Sequence, residues 1–171
     1  LNISPANIEC KKNIKIKGNI SSQYLTALLI AGPLCNQNIK IQIIGELISK
    51  PYIDMTLKLL AQFGVKYKNN KWKNFTLVAP SSFKSPKKIQ VEGDASSASY
   101  FFAAGAIAGS VEVSNINKSS IQGDLEFLSV IKKMGANIKY FSNSIKVSKK
   151  RQLVGMTIDC KNIPDAAMTL A

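Results

Sequence analysis

Apolar residues recur along the chain with strand and helix periodicity, in a regular order. Ile14 and Ile16 alternate with lysines and predict a strand that ends at Gly18. Ser21 then precedes an apolar stretch that ends at Gly32, the pattern of a capped helix with a glycine stop. The next predicted elements are a strand at 39–43, a helix at 51–63 and two short strands at 65–68 and 75–78. Together they form one β-α-β-α-β-β unit.

The same order of elements returns after the polar stretch 81–88. Strands are predicted at 89–92, 111–113, 138–141 and 145–147, and helices at 98–108 and 124–134. A third unit begins at 156–159 and stops in its first helix. Because the helices of such units must pack on a shared sheet, we expect an α/β fold built from two and a fraction repeated βαβαββ units.

The start of the second unit is the natural domain boundary. We assign residues 1–90 to one domain and residues 91–171 to a second, with a hinge near 85–93. The chain lacks an initiator methionine and ends inside a predicted helix. We therefore expect it to be an internal piece of a longer protein.

Composition narrows the chemistry that is possible. The 171 residues contain no histidine, which excludes Ser-His-Asp or Cys-His nucleophile activation and His-ligated zinc. We expect no metal and no cofactor. The net charge is +13, but every basic residue except Arg151 is a lysine and the lysines are spread along the chain. Since phosphate and nucleic-acid surfaces usually recruit arginine, this pattern favours compositional bias over a basic binding patch.

Cysteine usage and hydropathy predict the cellular setting. Cys10, Cys35 and Cys160 are widely spaced, which favours a reducing compartment and a chain without disulfides. The longest apolar run, 24–35, is interrupted by polar and helix-breaking residues and falls short of the roughly 18 that a membrane helix needs. We expect a soluble, cytoplasmic protein with no membrane partner.

A series of short segments resembles successive motifs of one enzyme family. They are residues 18–29 (GNISSQYLTALL), 49–57 (SKPYIDMTL), 91–101 (VEGDASSASYF), 122–124 (QGD) and 163–169 (IPDAAMT). In this order they are similar to motifs of the 5-enolpyruvylshikimate-3-phosphate synthases and cover nearly the whole chain. Such a series is far more specific than any one of its members.

The resemblance implies a fold and a reaction, and it implies that this chain is only part of a complete enzyme. It implies the inside-out α/β barrel of the enolpyruvyl transferases, with six βαβαββ units in two domains. It implies transfer of the enolpyruvyl group of phosphoenolpyruvate to the 5-hydroxyl of shikimate 3-phosphate, with release of phosphate, by a monomer. Family enzymes are more than twice as long, and several of their charged site residues match nothing here. We therefore expect the 171 residues alone to lack transferase activity.

Two helix starts carry the candidate substrate-binding residues. Ser21, Ser22 and Gln23 place two hydroxyls and an amide where unpaired N–H groups and the helix dipole attract anions. From these residues alone a structural N-cap is the favoured interpretation. The resemblance instead implies that they hold the phosphate of shikimate 3-phosphate, with Gln23 also directed towards the enolpyruvyl donor. Ser49 and Tyr52 match a second pair at that pocket, although the residues alone favour a plain helix start.

Asp165 is the candidate catalytic residue. An acid that follows a proline in a first helical turn ordinarily complements the helix dipole. The resemblance implies that Asp165 accepts the proton of the attacking 5-hydroxyl, a role that requires hydrogen-bond reach to that oxygen. Asp94 and Asp124 stand at helix starts of the second unit, and there we expect capping and dipole compensation only. Ser96 and Ser97 are expected to be caps as well.

Two alternative functions remain open at this stage. The sister enolpyruvyl transferase that acts on UDP-N-acetylglucosamine shares fold and donor. That family carries a reactive loop cysteine, and none of the three cysteines lies in a similar loop. The other alternative is a basic nucleic-acid-binding module, which would need lysines clustered on one face with interleaved aromatics. Trp72 lies between two lysines, but an exposed turn aromatic is the simpler interpretation, and we expect no nucleic-acid partner.

Overall fold

The computed structural model describes residues 11–35, 37–79 and 82–171. The chain forms two compact units, Leu1–Lys88 (unit 1) and Ile89–Ala171 (unit 2). None of the helices in the described residues is long and apolar enough to cross a membrane.

The described part of unit 1 follows the predicted β-α-β-α-β-β order. Its elements are β1 (Asn13–Lys17), α1 (Ser22–Ala31), a 3₁₀ turn (Gly32–Cys35), β2 (Ile39–Ile44), α2 (Lys50–Gln62), β3 (Tyr67–Asn70) and β4 (Asn74–Leu77). The sheet order is β1-β2-β4-β3. Strands β1 and β2 are parallel, and the other neighbours are antiparallel.

The core of unit 1 is formed by one face of the sheet and the two helices. In β2, Ile39, Ile41 and Ile43 are buried and the residues between them are exposed, the alternation on which the strand prediction depended. The helices contribute buried apolar side chains spaced by about one turn. These are Leu25, Leu29, Ile53, Leu57 and Leu60. Burial of each such side chain stabilises the fold by about 1.5–3 kcal/mol.

Unit 2 contains α3 (Ala95–Ala108), β5 (Ser110–Ser114), α4 (Glu126–Met134), β6 (Asn137–Tyr140), β7 (Ser144–Ser148) and α5 (Ala167–Leu170). A 3₁₀ turn precedes α4 at Gly123–Leu125 and another precedes α5 at Pro164–Ala166. The sheet order is β5-β7-β6, with antiparallel neighbours throughout. Buried Ala95, Ala98 and Ala106 let α3 lie close to the rest of the core.

Two predicted strands are wrong. Residues 89–92 and 156–159 have no strand structure. Val91 is 79% exposed, and its carbonyl accepts a hydrogen bond from the side chain of Asn115 (3.1 Å) rather than from a neighbouring strand. Alternation predicts which residues could form a strand, but the strand forms only where a second backbone pairs with it.

Helix α1 ends at Ala31 with Gly32 as its C-cap, as predicted. Gly32 is not left-handed, however, since it has helical backbone angles (φ −56°, ψ −39°), and the chain tightens into the 3₁₀ turn that follows α1. Pro33 has no N–H to donate, so the α-helical hydrogen-bond pattern cannot continue through it.

The cysteines do not all behave as expected. Cys35 is disulfide-bonded, whereas Cys160 is a free thiol. The expectation of a chain without disulfides is therefore wrong at Cys35. Pairing depends on the distance between Cα atoms in the fold, which the sequence spacing does not reveal.

Helix α3 packs closely against the sheet at Gly105. A Cβ atom at this position would lie 2.8 Å from the carbonyl oxygen of Val147 and 3.0 Å from the backbone nitrogen of Val111. Both are backbone atoms, so neither can rotate away. The absence of a side chain at Gly105 therefore sets the distance between helix and sheet.

We predict that Gly105→Ala destabilises unit 2. Alanine is the better helix former by up to about 1 kcal/mol, but overpacking against backbone costs about 1–3 kcal/mol. The control is Gly109→Ala, where the added Cβ has nothing within 4 Å. Urea unfolding followed by the NMR signals of unit 2 measures both variants. Equal stability of the two variants would contradict the close packing of α3 on the sheet at Gly105.

Candidate functional site

The starts of α1 and α2 lie at the same edge of the unit 1 sheet. Strands β1 and β2 are parallel, with Ile14 opposite Ile41 and Ile16 opposite Ile43. The loop that follows each strand leads directly into a helix, so both helices begin where the carboxyl ends of the two strands meet. Ligands of open α/β sheets bind at this kind of edge.

Gly18 joins the two loops. Its N–H donates to the carbonyl of Ile44 (3.0 Å), and its own carbonyl accepts from the N–H of Ile48 (3.1 Å). A Cβ atom on Gly18 would lie 2.6 Å from Cγ2 of Ile43 and 2.7 Å from the carbonyl oxygen of Glu46. Only glycine allows the two loops to approach this closely, and the approach sets the distance between the two helix starts.

Ser21 is the N-cap of α1, as predicted. Its backbone is extended, and its Oγ accepts a hydrogen bond from the N–H of Gln23 (3.2 Å). Ser22 is half-buried in the first turn and Gln23 is exposed. No acidic residue lies in the first turn of α1. The positive end of the helix dipole is therefore not neutralised locally and can attract an anion.

The start of α2 has the same electrostatic character. Its first turn also contains no acidic residue, and Lys50 begins the helix. Ser49 occupies the N-cap position with left-handed backbone angles (φ 54°, ψ 40°), and its side chain makes no capping hydrogen bond. Such a conformation costs a non-glycine residue about 1–3 kcal/mol and is common at binding sites. Tyr52 is half-buried, and its N–H donates to the carbonyl of Ser49 (3.2 Å).

A pair of threonines joins α1 to α2. Oγ1 of Thr56 donates to the carbonyl of Tyr52 (3.0 Å) and lies 3.3 Å from Oγ1 of Thr26. A hydroxyl has a single hydrogen, so Thr26 must be the donor in the second contact. The pair connects the second turn of α2 to the middle of α1. No sequence motif indicates this contact, except that Thr56 follows Tyr52 by one helical turn.

Asp165 lies in unit 2, in the 3₁₀ turn Pro164–Ala166. Its side chain is exposed, while its neighbours Ile163 and Ala166 are buried in the core of that unit. The two buried neighbours hold the turn against the core, and the carboxylate faces solvent. This is the geometry of an accessible proton acceptor on a fixed backbone.

The other polar residues predicted at helix starts of unit 2 have structural contacts. Asp94 caps α3, as predicted, and accepts hydrogen bonds from the hydroxyl and the N–H of Ser97. These two bonds hold the pKa of Asp94 below its ordinary value. The ionised carboxylate therefore stabilises the folded unit, and this stabilisation is lost only as the pH falls through the lowered pKa. Ser96 and Ser97 are not caps but first-turn residues. Asp124 does not cap either, since it is buried and accepts from the hydroxyl of Ser96 (2.8 Å).

We predict that Gly18→Ala destabilises unit 1 by about 1–3 kcal/mol, because the new methyl group must push the two loops apart. Fluorescence of Trp72, the only tryptophan, reports the urea unfolding of this unit. Hydrogen exchange of the Ile48 N–H should accelerate, since its acceptor is the carbonyl of Gly18. Gly155→Ala, where the Cβ meets nothing within 4 Å, is the control. If hydrogen exchange of the Ile48 N–H is unchanged in the Gly18→Ala variant, Gly18 does not hold the two loops together.

Comparison with known proteins places the chain in a family. The sequence model of one protein family, described as EPSP synthase (3-phosphoshikimate 1-carboxyvinyltransferase), matches residues 2–171. A relative of that name from Shewanella pealeana is 52% identical over 160 residues, covering 93% of this chain and 37% of the relative. Another from Cupriavidus necator is 48% identical over 179 residues, covering 100% and 41%. The chain thus spans about two-fifths of the length of these relatives.

Solved structures agree on the fold. EPSP synthase from Acinetobacter baumannii superposes with a TM-score of 0.69 at 21% identity, covering 92% of this chain and 36% of that one. The enolpyruvyl transferase NikO from Streptomyces tendae gives a TM-score of 0.57 at 11% identity, covering 92% and 41%. The predicted enolpyruvyl transferase fold is confirmed. Since the family model matches nearly every residue, the chain belongs to the EPSP synthase family.

Proposed function

We propose that the protein containing this chain transfers the enolpyruvyl group of phosphoenolpyruvate to the 5-hydroxyl of shikimate 3-phosphate and releases phosphate. The observation that carries the proposal is the family match over residues 2–171, together with relatives that bear the name of this activity. The chain spans only part of those relatives, so further residues of the complete site would come from outside it.

In this proposal the phosphate of shikimate 3-phosphate binds at the shared edge of α1 and α2. The hydroxyls of Ser21 and Ser22 and the free N–H groups of the first turn of α1 donate to it. Ser49 and Tyr52 contact the same substrate from the start of α2, and Gln23 reaches towards phosphoenolpyruvate. Two helix starts without local acids support the choice of a dianionic ligand.

Asp165 is the proposed general base. Its carboxylate accepts the proton of the 5-hydroxyl as that oxygen forms a bond to the enolpyruvyl carbon, while an acid protonates the methylene carbon of phosphoenolpyruvate. The exposure of Asp165 on a turn held by two buried neighbours supports this role. A histidine-free chain suits chemistry whose base is a carboxylate.

The domain assignment belongs to the same proposal. Residues 1–90 form the last βαβαββ unit of one domain and residues 91–171 begin the second, with the hinge near 85–93. The division of the chain between Lys88 and Ile89 supports this assignment. The full-length protein acts as a cytoplasmic monomer on two small-molecule substrates, without a cofactor or nucleic acid.

Neither alternative function has comparable support. The family match names 3-phosphoshikimate, not UDP-N-acetylglucosamine, as the acceptor. For nucleic-acid binding, Trp72 would have to present its face to a base. Instead Trp72 is half-buried and packs edge-on against Phe75, with 6.2 Å between ring centroids. The expectation that Trp72 is an exposed turn aromatic is therefore wrong.

A chimeric enzyme tests the proposal directly. In it this chain replaces the matching 160-residue segment of the Shewanella pealeana relative, and phosphate release is measured with both substrates. We expect turnover that requires both. The 171-residue chain alone is expected to bind shikimate 3-phosphate weakly without turnover. A folded chimera that binds neither substrate would overturn the proposal.

We predict that Ser22→Ala in the chimera raises KM for shikimate 3-phosphate about tenfold. A hydrogen bond to a charged group is worth about 1.5–3 kcal/mol, and about 1.4 kcal/mol is a factor of ten. The matched control is Ser129→Ala on the exposed face of α4, which should leave KM unchanged. If Ser22→Ala behaves like the control, the first turn of α1 does not bind the phosphate.

Asp165→Asn in the chimera should lower kcat by about 10²–10⁴, the usual contribution of a general base, with KM changed little. Asp159→Asn is the control, because Asp159 is an exposed acid of the same unit and asparagine keeps the acceptor for the N–H of Lys161. Initial rates of phosphate release measure both. A kcat within a factor of two of the parent would remove Asp165 from the mechanism.

A further inference from the structure

A row of polar groups runs through unit 2 from the turn before α4 to α5. Asp124 and Ser99 are buried, and Ser96 and Thr169 are half-buried. The hydroxyl of Ser96 donates to Oδ2 of Asp124 (2.8 Å), and the hydroxyl of Ser99 donates to the carbonyl of Ser96 (2.6 Å). Oγ of Ser99 also lies 2.9 Å from Oγ1 of Thr169. Ser99 is 1% exposed, so its hydroxyl is shielded from water.

The direction of the last hydrogen bond follows from the number of hydrogens. The carbonyl of Ser96 can only accept, so the single hydrogen of the Ser99 hydroxyl is used there. Thr169 must therefore donate to Ser99. A directional bond of this kind fixes the rotamers of both side chains, whereas an apolar contact would leave α5 able to slide along α3.

Thr169 connects the helix that follows the Asp165 turn to α3. The turn that carries Asp165 leads directly into α5, and Thr169 follows Asp165 by one helical turn. On the amino-terminal side the same turn is held by the buried side chain of Ile163. The hydroxyl pair supplies the polar anchor on the carboxyl-terminal side.

Ser99 is an unexpected residue for a buried position of α3, where alanine would be simpler to pack. The other buried residues of α3 are Ala95, Ala98, Phe102, Gly105 and Ala106, and none has a polar side chain. An alanine at position 99 would pack without the cost of burying a hydroxyl, which is about 1–3 kcal/mol before hydrogen bonding. A buried serine bonded to the helix that follows Asp165 therefore points to orientation rather than to packing.

We propose that Ser99 and Thr169 are a positioning pair for Asp165, in which the hydrogen bond from Thr169 to Ser99 sets the direction of the carboxylate towards the acceptor hydroxyl. This inference rests on the proposed function of Asp165. The pair touches no substrate and acts only through the turn Pro164–Ala166. A displacement of a reacting group by about 1 Å can cost a factor of about 10² in rate, so loss of the pair should lower kcat and leave KM unchanged.

The test uses the active chimera. Thr169→Val keeps the shape of the side chain and removes the donor, and we expect kcat for phosphate release to fall about tenfold, with KM for either substrate within a factor of two. Thr169→Ser restores the hydroxyl and should restore kcat. Thr157→Val, at an exposed threonine of the same unit, is the control and should keep the parent rate.

A double variant separates positioning from general loss of structure. In the Asp165→Asn background, Thr169→Val should lower kcat no further, because the group that it positions is already gone. A further tenfold loss there would overturn the inference. If Thr169→Val does not fold, Ser99→Ala removes the acceptor and must give the same two results.

The two proposals fail differently. If Asp165→Asn keeps the parent rate, the assignment of Asp165 as base is wrong and the positioning role is lost with it. If Asp165→Asn is slow but Thr169→Val keeps the parent rate, the base stands and only the positioning pair is refuted.

Discussion

The parallel pairing of β1 with β2 is the constraint on which the candidate site depends. Parallel strands point the same way, so the helices that follow them begin at one edge of the sheet. The bonds of Gly18 to the loop before α2 then fix the distance between the two helix starts. Ser21 and Ser49 could not face a common ligand if either strand were reversed, whatever their side chains.

The two units differ in the charge at their helix starts. In unit 1 the first turns of α1 and α2 contain no acid, so their dipoles are free to attract an anion. In unit 2, Asp124 and Asp165 lie in the first turns of short helices, and Asp94 caps α3. Helix starts without acids favour binding of an anion, and an exposed carboxylate in a turn can accept a proton; the proposed reaction requires both.

Local features of both units could be predicted from the sequence, because they depend on neighbouring residues. The alternation of Ile39, Ile41 and Ile43 predicted β2, and Ser21 predicted the start of α1. Features that depend on distant partners could not be predicted. The segment 89–92 pairs with no strand in the described residues, the disulfide of Cys35 depends on a Cα distance, and the contact of Thr26 with Thr56 has no motif. The candidate site residues themselves were found through motif resemblance, since each alone fits an ordinary helix start.

The same kind of hydroxyl bond joins two helices in each unit. Thr56 and Thr169 each follow a candidate site residue by one turn and bond to the preceding long helix. Helix α2 has thirteen residues, and three buried side chains would hold it in place without its threonine. The turn that carries Asp165 is likewise held by the buried side chains of Ile163 and Ala166. The hydroxyl bond is therefore one contact among several in both units, and what it adds is a fixed direction between the two helices.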